Sequence, residues 1–295
     1  MAHPISLEAL KVIATIQQKG SFAAAAQALF KVPSALTYTV SKLEQDLGVT
    51  LFDRTGHKAQ LTAAGKLVLT EGQQLLDAAQ RLSEKVKELE SGWEPRLTIA
   101  VDSVLPCEPV LALIAEFCKL QKPVNIEVVE EVLGGGWDAL HTQRADIAVG
   151  ISGEVASGLY DVETIGSLKF VFAVAGNHPL ATQPEPLSSV HVSEFPAIIV
   201  KDSSRSLPER SSGIFAAKQT IHVTSVEHKI KAQSMGVGVG FLPLHLIEDQ
   251  LASGELVIKY TDIPRPSMPL YVAKQKATQG KAANWFYERL SQVTV

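Results

Sequence analysis

The sequence predicts an α/β protein in three parts: a small helical domain ending in a hairpin, one long helix, and two α/β lobes around a cleft. Three observations predict it. Residues 1–61 hold helix-spaced apolar stripes broken at Gly20 and again before Pro33. Residues 62–92 repeat apolar side chains every seven positions, and from residue 96 strand-like and helix-like segments alternate. The expected domain boundaries are therefore 1–61, 62–92 and 96–295.

In "LEALKVIATIQQK" (7–19), Leu7, Leu10 and Ala14 form a stripe widened by Val12, Ile13 and Ile16, with Ser6 as N-cap and Gly20 as stop. Ser21 caps a second helix, whose Phe22, Ala25, Ala26 and Leu29 share one face; its alanines favour the helix and allow close approach. Pro33 stands where a first helical turn tolerates it and opens a third helix that Gly48 ends. Leu36, Val40, Leu43 and Leu47 point inward on that helix. Ser34, Thr37, Tyr38 and Ser41 repeat the helical spacing on the other side, with Lys42 beside them. "VTLFDRTGHKAQLT" then reads as two short strands around a turn at Thr55–Gly56, a hairpin wing.

Thr62 caps the long helix, and Gly92 with Pro95 stops it. Val68, Leu75, Leu82 and Leu89 make one seam; Gly65, Gly72, Ala79 and Val86 make a second, small enough at its start for two helix backbones to approach. One such helix cannot bury its stripe alone, so self-association is expected, the alternative being packing on its own domain. Beyond it, strands are expected at 97–101, 125–132, 145–151, 170–176, 197–200 and 221–225, and helices at 109–120, 136–144, 226–235 and 243–253. Alternation of this kind predicts parallel sheets covered by helices.

Net charge is −4, yet residues 1–61 carry six Lys and Arg against four Asp and Glu, so a polyanion would be met there. No run is long and apolar enough to span a membrane, and "MAHPISLEAL" has no signal-peptide pattern, so a cytoplasmic chain is expected. Cys107 and Cys118 read as reduced, buried thiols, and the eight histidines have no metal-ligand spacing, so no metal or cofactor is expected. "GVGVGF" (236–241) places Phe241 where a dinucleotide fingerprint needs glycine and reads as a tight helix–strand turn; "GGGW" (134–137) lacks the Lys and Ser/Thr of a phosphate loop.

Short hydroxyl side chains flanked by Lys suit close approach to phosphates and base edges, where long Lys and Glu would obstruct it. A helix–turn–helix followed by a wing, with that polar face outward, is the docking geometry of a major-groove reader; a merely solvated surface helix is the alternative. The same stretch, through "GSFAAAAQAL", "PSALTYTVSKLEQDLGVTLFDR" and the closing "LTAAG", resembles the DNA-binding domain of LysR-type transcriptional regulators. The resemblance implies a winged helix–turn–helix, a linker helix pairing two subunits, and a two-lobed effector domain of the periplasmic-binding-protein type. It maps groove contacts onto Pro33, Ser34, Thr37 and Tyr38, where many relatives carry Arg in place of Tyr38. Ser21, Ser41, Lys42, Arg54, His57 and Lys58 complete the expected DNA face, with Arg54 also able to pair with a carboxylate inside the domain.

Ligands of α/β lobes lie beyond the carboxyl ends of strands. Asp102, Ser103, Ser152, Ser203, Ser204, Arg205 and Thr224 follow expected strands and are the candidate effector contacts, helix capping being the alternative for each. Ser103 corresponds to a position where the resemblance implies an effector-contacting Ser or Thr. Arg205 would suit an anion, Asp102 and Glu154 a cation. The expected partners are double-stranded operator DNA, a small-molecule effector, and copies of the chain, as a homodimer through the linker helix and a homotetramer. Two rivals use the same lobes without DNA: a small-molecule binding protein, for which the N-terminal ninety-five residues are superfluous, and an α/β enzyme, for which no nucleophile–base pair or cofactor motif is present.

Overall fold

The computed structural model describes residues 5–53, 59–153, 158–211, 213 and 215–293. They divide into two compact units, Met1–Glu90 and Ser91–Val295.

In the first unit, α1 (Leu7–Lys19), α2 (Phe22–Ala28) and α3 (Pro33–Leu47) start and stop where their caps dictate. The Ser6 hydroxyl accepts the Ala9 N–H at 3.2 Å and the Ser21 hydroxyl accepts that of Ala24 at 3.1 Å. Gly20 and Gly48 close α1 and α3 at φ 74° and 69°, a region that costs glycine little. Ile13, Ile16, Ala25, Leu36, Val40 and Leu43 bury together with Leu51 and Phe52, each large side chain contributing about 1.5–3 kcal/mol. Strands β1 (Phe52–Asp53) and β2 (Gln60–Leu61) pair antiparallel, Phe52 opposite Leu61. Glu44 ties α3 to β1, its carboxylate accepting the N–H groups of Leu51 (2.7 Å) and Phe52 (3.2 Å). The expected turn at Thr55–Gly56 lies outside the described residues.

The long helix α4 (Ala63–Ser91) begins where the Thr62 hydroxyl accepts the Gly65 N–H at 3.0 Å. The first half of its small-residue seam corrects the expectation: Gly65 packs on the Leu51 carbonyl and Gly72 on the Leu10 side chain, so these two glycines are used inside the unit. Val68 joins the same core. Further along, Leu75, Leu82 and Val86 are exposed, while the Leu89 side chain lies outside the described residues.

The second unit has a first lobe built on β3 (Arg96–Asp102), α5 (Glu108–Cys118), β4 (Asn125–Glu131), α6 (Gly135–His141), β5 (Ile147–Ile151) and β6 (Tyr160–Leu168). Its second lobe holds β7 (Phe170–Ala175), α7 (Ser189–Ser193), β8 (Ala197–Val200), β9 (Thr220–Val223), α8 (Val226–Ser234), β10 (Gly240–Pro243), α9 (Glu248–Ser253) and β11 (Leu256–Ile258). The chain then returns to the first lobe with β12 (Met268–Gln275) and ends on α10 (Lys281–Leu290). The first sheet runs β4-β3-β5-β12-β6, the second-lobe sheets β10-β7-β11 and β8-β9. β3 is parallel to β4 and β5, and β8 to β9, as alternation predicts. In this unit the pairs of β7 with β10 and β11, and of β12 with β5 and β6, are antiparallel. The helix expected over 243–253 is interrupted: Pro243 ends β10, residues 244–246 form a 3₁₀ turn, and only Glu248–Ser253 is α-helical.

Cys107 and Cys118 are free and exposed rather than buried, since α5 turns Val110 and Phe117 inward. Among the described residues, no helix is long and apolar enough to cross a membrane.

Candidate functional site

Burial of Leu36, Val40 and Leu43 fixes the rotation of α3, so its other face must be outward. Pro33, Ser34, Tyr38, Ser41 and Lys42 are exposed there and Thr37 is half-buried. The Thr37 hydroxyl donates to the Pro33 carbonyl at 3.1 Å, which leaves its oxygen lone pairs toward solvent. Lys42 sits 3.7 Å from Asp46, an exposed i,i+4 pair of the kind worth only a few tenths of a kcal/mol, so its charge remains available. Ser21 spends its hydroxyl on capping α2, which makes it a positioning group for the helix pair. Arg54, His57 and Lys58 lie outside the described residues. Two neighbours carry no signal in the sequence pattern: Phe30, 98% exposed at φ 54°, and Val32, which occupies the N-cap of α3 without a capping side chain. The leading edge of α3 thus offers hydroxyls for phosphates and base edges next to apolar groups suited to a thymine methyl.

The cleft of the second unit has about 550 Å³ of empty volume, its mouth included. Of the sequence candidates, Asp102, Ser103 and Ser152 line it, all from strand ends of the first lobe. The Ser103 hydroxyl is buried with no hydrogen-bond partner among the described residues. Burial pushes the Asp102 carboxyl up to about 8; the backbone N–H groups of Val104 and Leu133 oppose the shift, and the charges of Glu130 and Asp202 add to it. Ser152 offers its carbonyl to the Trp137 indole N–H at 3.0 Å and the Arg210 guanidinium at 2.9 Å.

The structure does not bring Ser203, Ser204, Arg205 or Thr224 into the lining. The segment after β8 is instead pinned onto the start of α6. Asp202 accepts the N–H groups of Gly134 (3.1 Å) and Arg210 (2.6 Å), and Asp138 accepts those of Ser206 (2.8 Å) and Leu207 (2.7 Å). Burial alone would raise the Asp138 carboxyl, but the Leu207 N–H, the Arg144 guanidinium and further backbone N–H groups outweigh it and hold it low. In this arrangement the Ser203 hydroxyl donates to Glu131 and accepts the Val132 N–H at 2.9 Å. Ser204 donates its N–H to Asp202 at 2.7 Å, and Arg205 is left exposed. Thr224 is also exposed, 3.2 Å from His228. Glu154 lies outside the described residues.

The second lobe contributes Lys229 of α8 with Phe241 and Pro243 of β10 to the lining, while Phe170, Arg265 and Met268 line it at the crossovers between lobes. Lys229 is 7% exposed, and burial, then the Arg265 charge, lower its ammonium to about 7. The Arg265 guanidinium lies over the Phe170 ring at 4.2 Å. A signal for Lys229 exists in "VEHKIKAQS": Val226, Lys229 and Gln233 share the buried face of α8. Among the described residues, no group of His, Cys, Asp and Glu is arranged to hold a metal ion.

Comparisons with known proteins agree with both halves. Residues 7–66 match the family of bacterial regulatory helix-turn-helix proteins of the lysR type. Residues 90–294 match the LysR substrate binding domain. The uncharacterized HTH-type transcriptional regulator YeeY of Escherichia coli (strain K12) is 36% identical over 285 residues, 96% of this chain and 92% of that protein. The probable HTH-type transcriptional regulator YhaJ of the same strain is 33% identical over 282 residues, 95% of this chain and 94% of that protein. In fold, the chain resembles full-length CbnR complexed with its target DNA (TM-score 0.62, 16% identity, 98% of this chain and 100% of that one). It also resembles full-length OxyR from Pseudomonas aeruginosa (TM-score 0.54, 18% identity, 98% of this chain and 95% of that one). With a lysR-type helix–turn–helix at one end and a LysR substrate-binding domain at the other, the chain belongs to the LysR family and is a DNA-binding transcriptional regulator that responds to a small-molecule effector, not an enzyme.

Proposed function

We propose that α3 enters the major groove of an operator with Pro33, Ser34, Thr37, Tyr38, Ser41 and Lys42 toward the DNA, and that Arg54, His57 and Lys58 meet it from the wing. Ser21 holds α2 in register behind it. The chain acts in the cytoplasm as a homodimer through the exposed leucines of α4, two such dimers forming a tetramer. An effector seated between the lobes, in contact with Asp102, Ser103 and Ser152, shifts the balance between lobe arrangements and with it the DNA-bound state. The observation that carries this reading is the hydroxyl-rich outer face of α3, where Ser34, Tyr38, Ser41 and Lys42 are exposed on the side opposite buried Leu36, Val40 and Leu43. DNase footprinting on the DNA upstream of this gene tests it. Protected half-sites about 10 base pairs, or a multiple of that, apart are expected for a symmetric reader. No protection of that DNA by the purified protein contradicts it.

A further inference from the structure

The cleft is built asymmetrically, and its second-lobe wall carries an ammonium that nothing in the described residues neutralises. Lys229 is carried inward by α8 between Val226 and Gln233 and borders the cleft. Among the described residues its ammonium has no ion pair and no hydrogen-bond partner. An ammonium held away from water without a counter-charge is costly, and cationic Arg265 beside it adds to that cost. A second, independent orphan lies in the same cleft: the buried Ser103 hydroxyl. The rest of the lining is largely apolar, with Phe170, Phe241, Val226 and Met268 among it. The acidic groups of the region, Asp102 with Glu130 and Asp202 acting on it, gather on the first-lobe side.

We propose that this cleft takes a small organic carboxylate with an apolar body, its carboxylate on Lys229 with Arg265 alongside and its body against Phe170 and Phe241. Ser103 hydrogen-bonds the ligand from the opposite wall. The inference rests on the effector reading above and gives the effector a charge and a shape. A carboxylate supplies the counter-charge that Lys229 lacks, and charge-assisted hydrogen bonds in a desolvated site are the strong ones. A cationic ligand would place like charges together, and an inorganic anion would leave the aromatic walls in contact with water.

Calorimetric titration of the full-length protein near neutral pH with benzoate, benzamide and benzylamine tests this, because the three share one ring and differ in charge. Saturable binding of benzoate is expected, with the other two weaker by about tenfold or more. Cyclohexanecarboxylate and hexanoate are titrated as well, so that the body is varied at constant charge. K229M should weaken benzoate by about tenfold while K229R largely restores it, and S103A should weaken it a few-fold. Benzamide or benzylamine binding as tightly as benzoate overturns the proposal, as does a folded K229M that binds benzoate like the parent. The charge series on the parent protein decides the matter even if K229M does not fold. Absence of binding by all three carboxylates also overturns it. Operator binding of the ligand-free protein, measured in parallel by gel shift, separates the two readings: retained DNA binding with no carboxylate bound removes the ligand class alone, whereas lost DNA binding removes the regulator reading beneath it.

Discussion

Phe30 sits at φ 54° in the turn before α3 with 98% of its surface exposed. A left-handed backbone costs an L-residue roughly 1–2 kcal/mol, and here no buried contact offsets it. Phe30→Gly should therefore raise stability, by up to about 1 kcal/mol after the added chain entropy of glycine. A lower melting temperature for this variant would show that the side chain packs after all. Asp102 makes a pH-dependent prediction. Its folded-state value of about 8 lies above its ordinary 3.8, so its contribution is complete below about pH 4 and is lost as pH rises through 8. Lys229 runs the other way, since its value of about 7 lies under the usual 10.5: its contribution is present above 10.5 and is lost as pH falls through 7. Asp102→Asn should thus gain on the parent between pH 4 and pH 8 and level off above, Lys229 cancelling because both proteins carry it. Urea unfolding at several pH values checks this, and a pH-independent difference contradicts it. At this scale the serine caps and the strand-end residues Asp102, Ser103 and Ser152 are legible in the sequence. Arg205 and Ser203 are misplaced by the strand-end rule because Asp138 and Asp202 draw the segment after β8 onto the first lobe.

Among the elements, α4 does two tasks along one heptad. Its first turns are bound into the DNA-binding unit: a Cβ on Gly65 would meet the Leu51 carbonyl, a rigid backbone atom, whereas one on Gly72 meets only the flexible end of Leu10. Gly65→Ala should accordingly destabilise this unit by about 1–3 kcal/mol, and Gly72→Ala by clearly less. Equal melting temperatures for the two variants would contradict the packing. Leu75 and Leu82, seven residues apart, are 52% and 66% exposed, an apolar stripe that the proposed dimer would cover. Replacing both with Lys should yield smaller species in light scattering and weaken operator binding; an unchanged mass places the interface elsewhere. Helices α1 to α4 are legible because caps and a 3.6-residue period coincide in them. β12 is not, since bulges beside Tyr271 on both of its partners break its alternation, and its pairing with β5 spans more than a hundred residues. α10 does carry a readable stripe in Ala282, Ala283, Phe286 and Leu290, which β/α alternation alone does not flag.

In the whole molecule, the residues proposed to meet DNA and those proposed to meet the effector lie in different compact units, Thr37 and Tyr38 in the first and Ser103 in the second. The fold class is legible from the sequence because its three patterns differ: helix-spaced apolar stripes in residues 1–61, a seven-residue repeat in the linker, and alternating strand and helix beyond it. The cleft's basic wall is not, because Lys229 and Arg265 reach it from separate elements of the second lobe and the crossover. Function at a distance then requires a ligand that binds one lobe arrangement better than another, and that leaves the ligand-free DNA affinity to the first unit alone. The direct test is fluorescence anisotropy of an operator duplex with three ligand-free proteins: the parent, the double variant Thr37→Ala with Tyr38→Ala, and Ser103→Ala. The double variant should lose affinity by about 1–3 kcal/mol for each contact removed, with an unchanged unfolding transition, while Ser103→Ala binds within about twofold of the parent. A double variant that binds like the parent, or a Ser103→Ala protein that loses ligand-free operator binding to the same degree, contradicts the account.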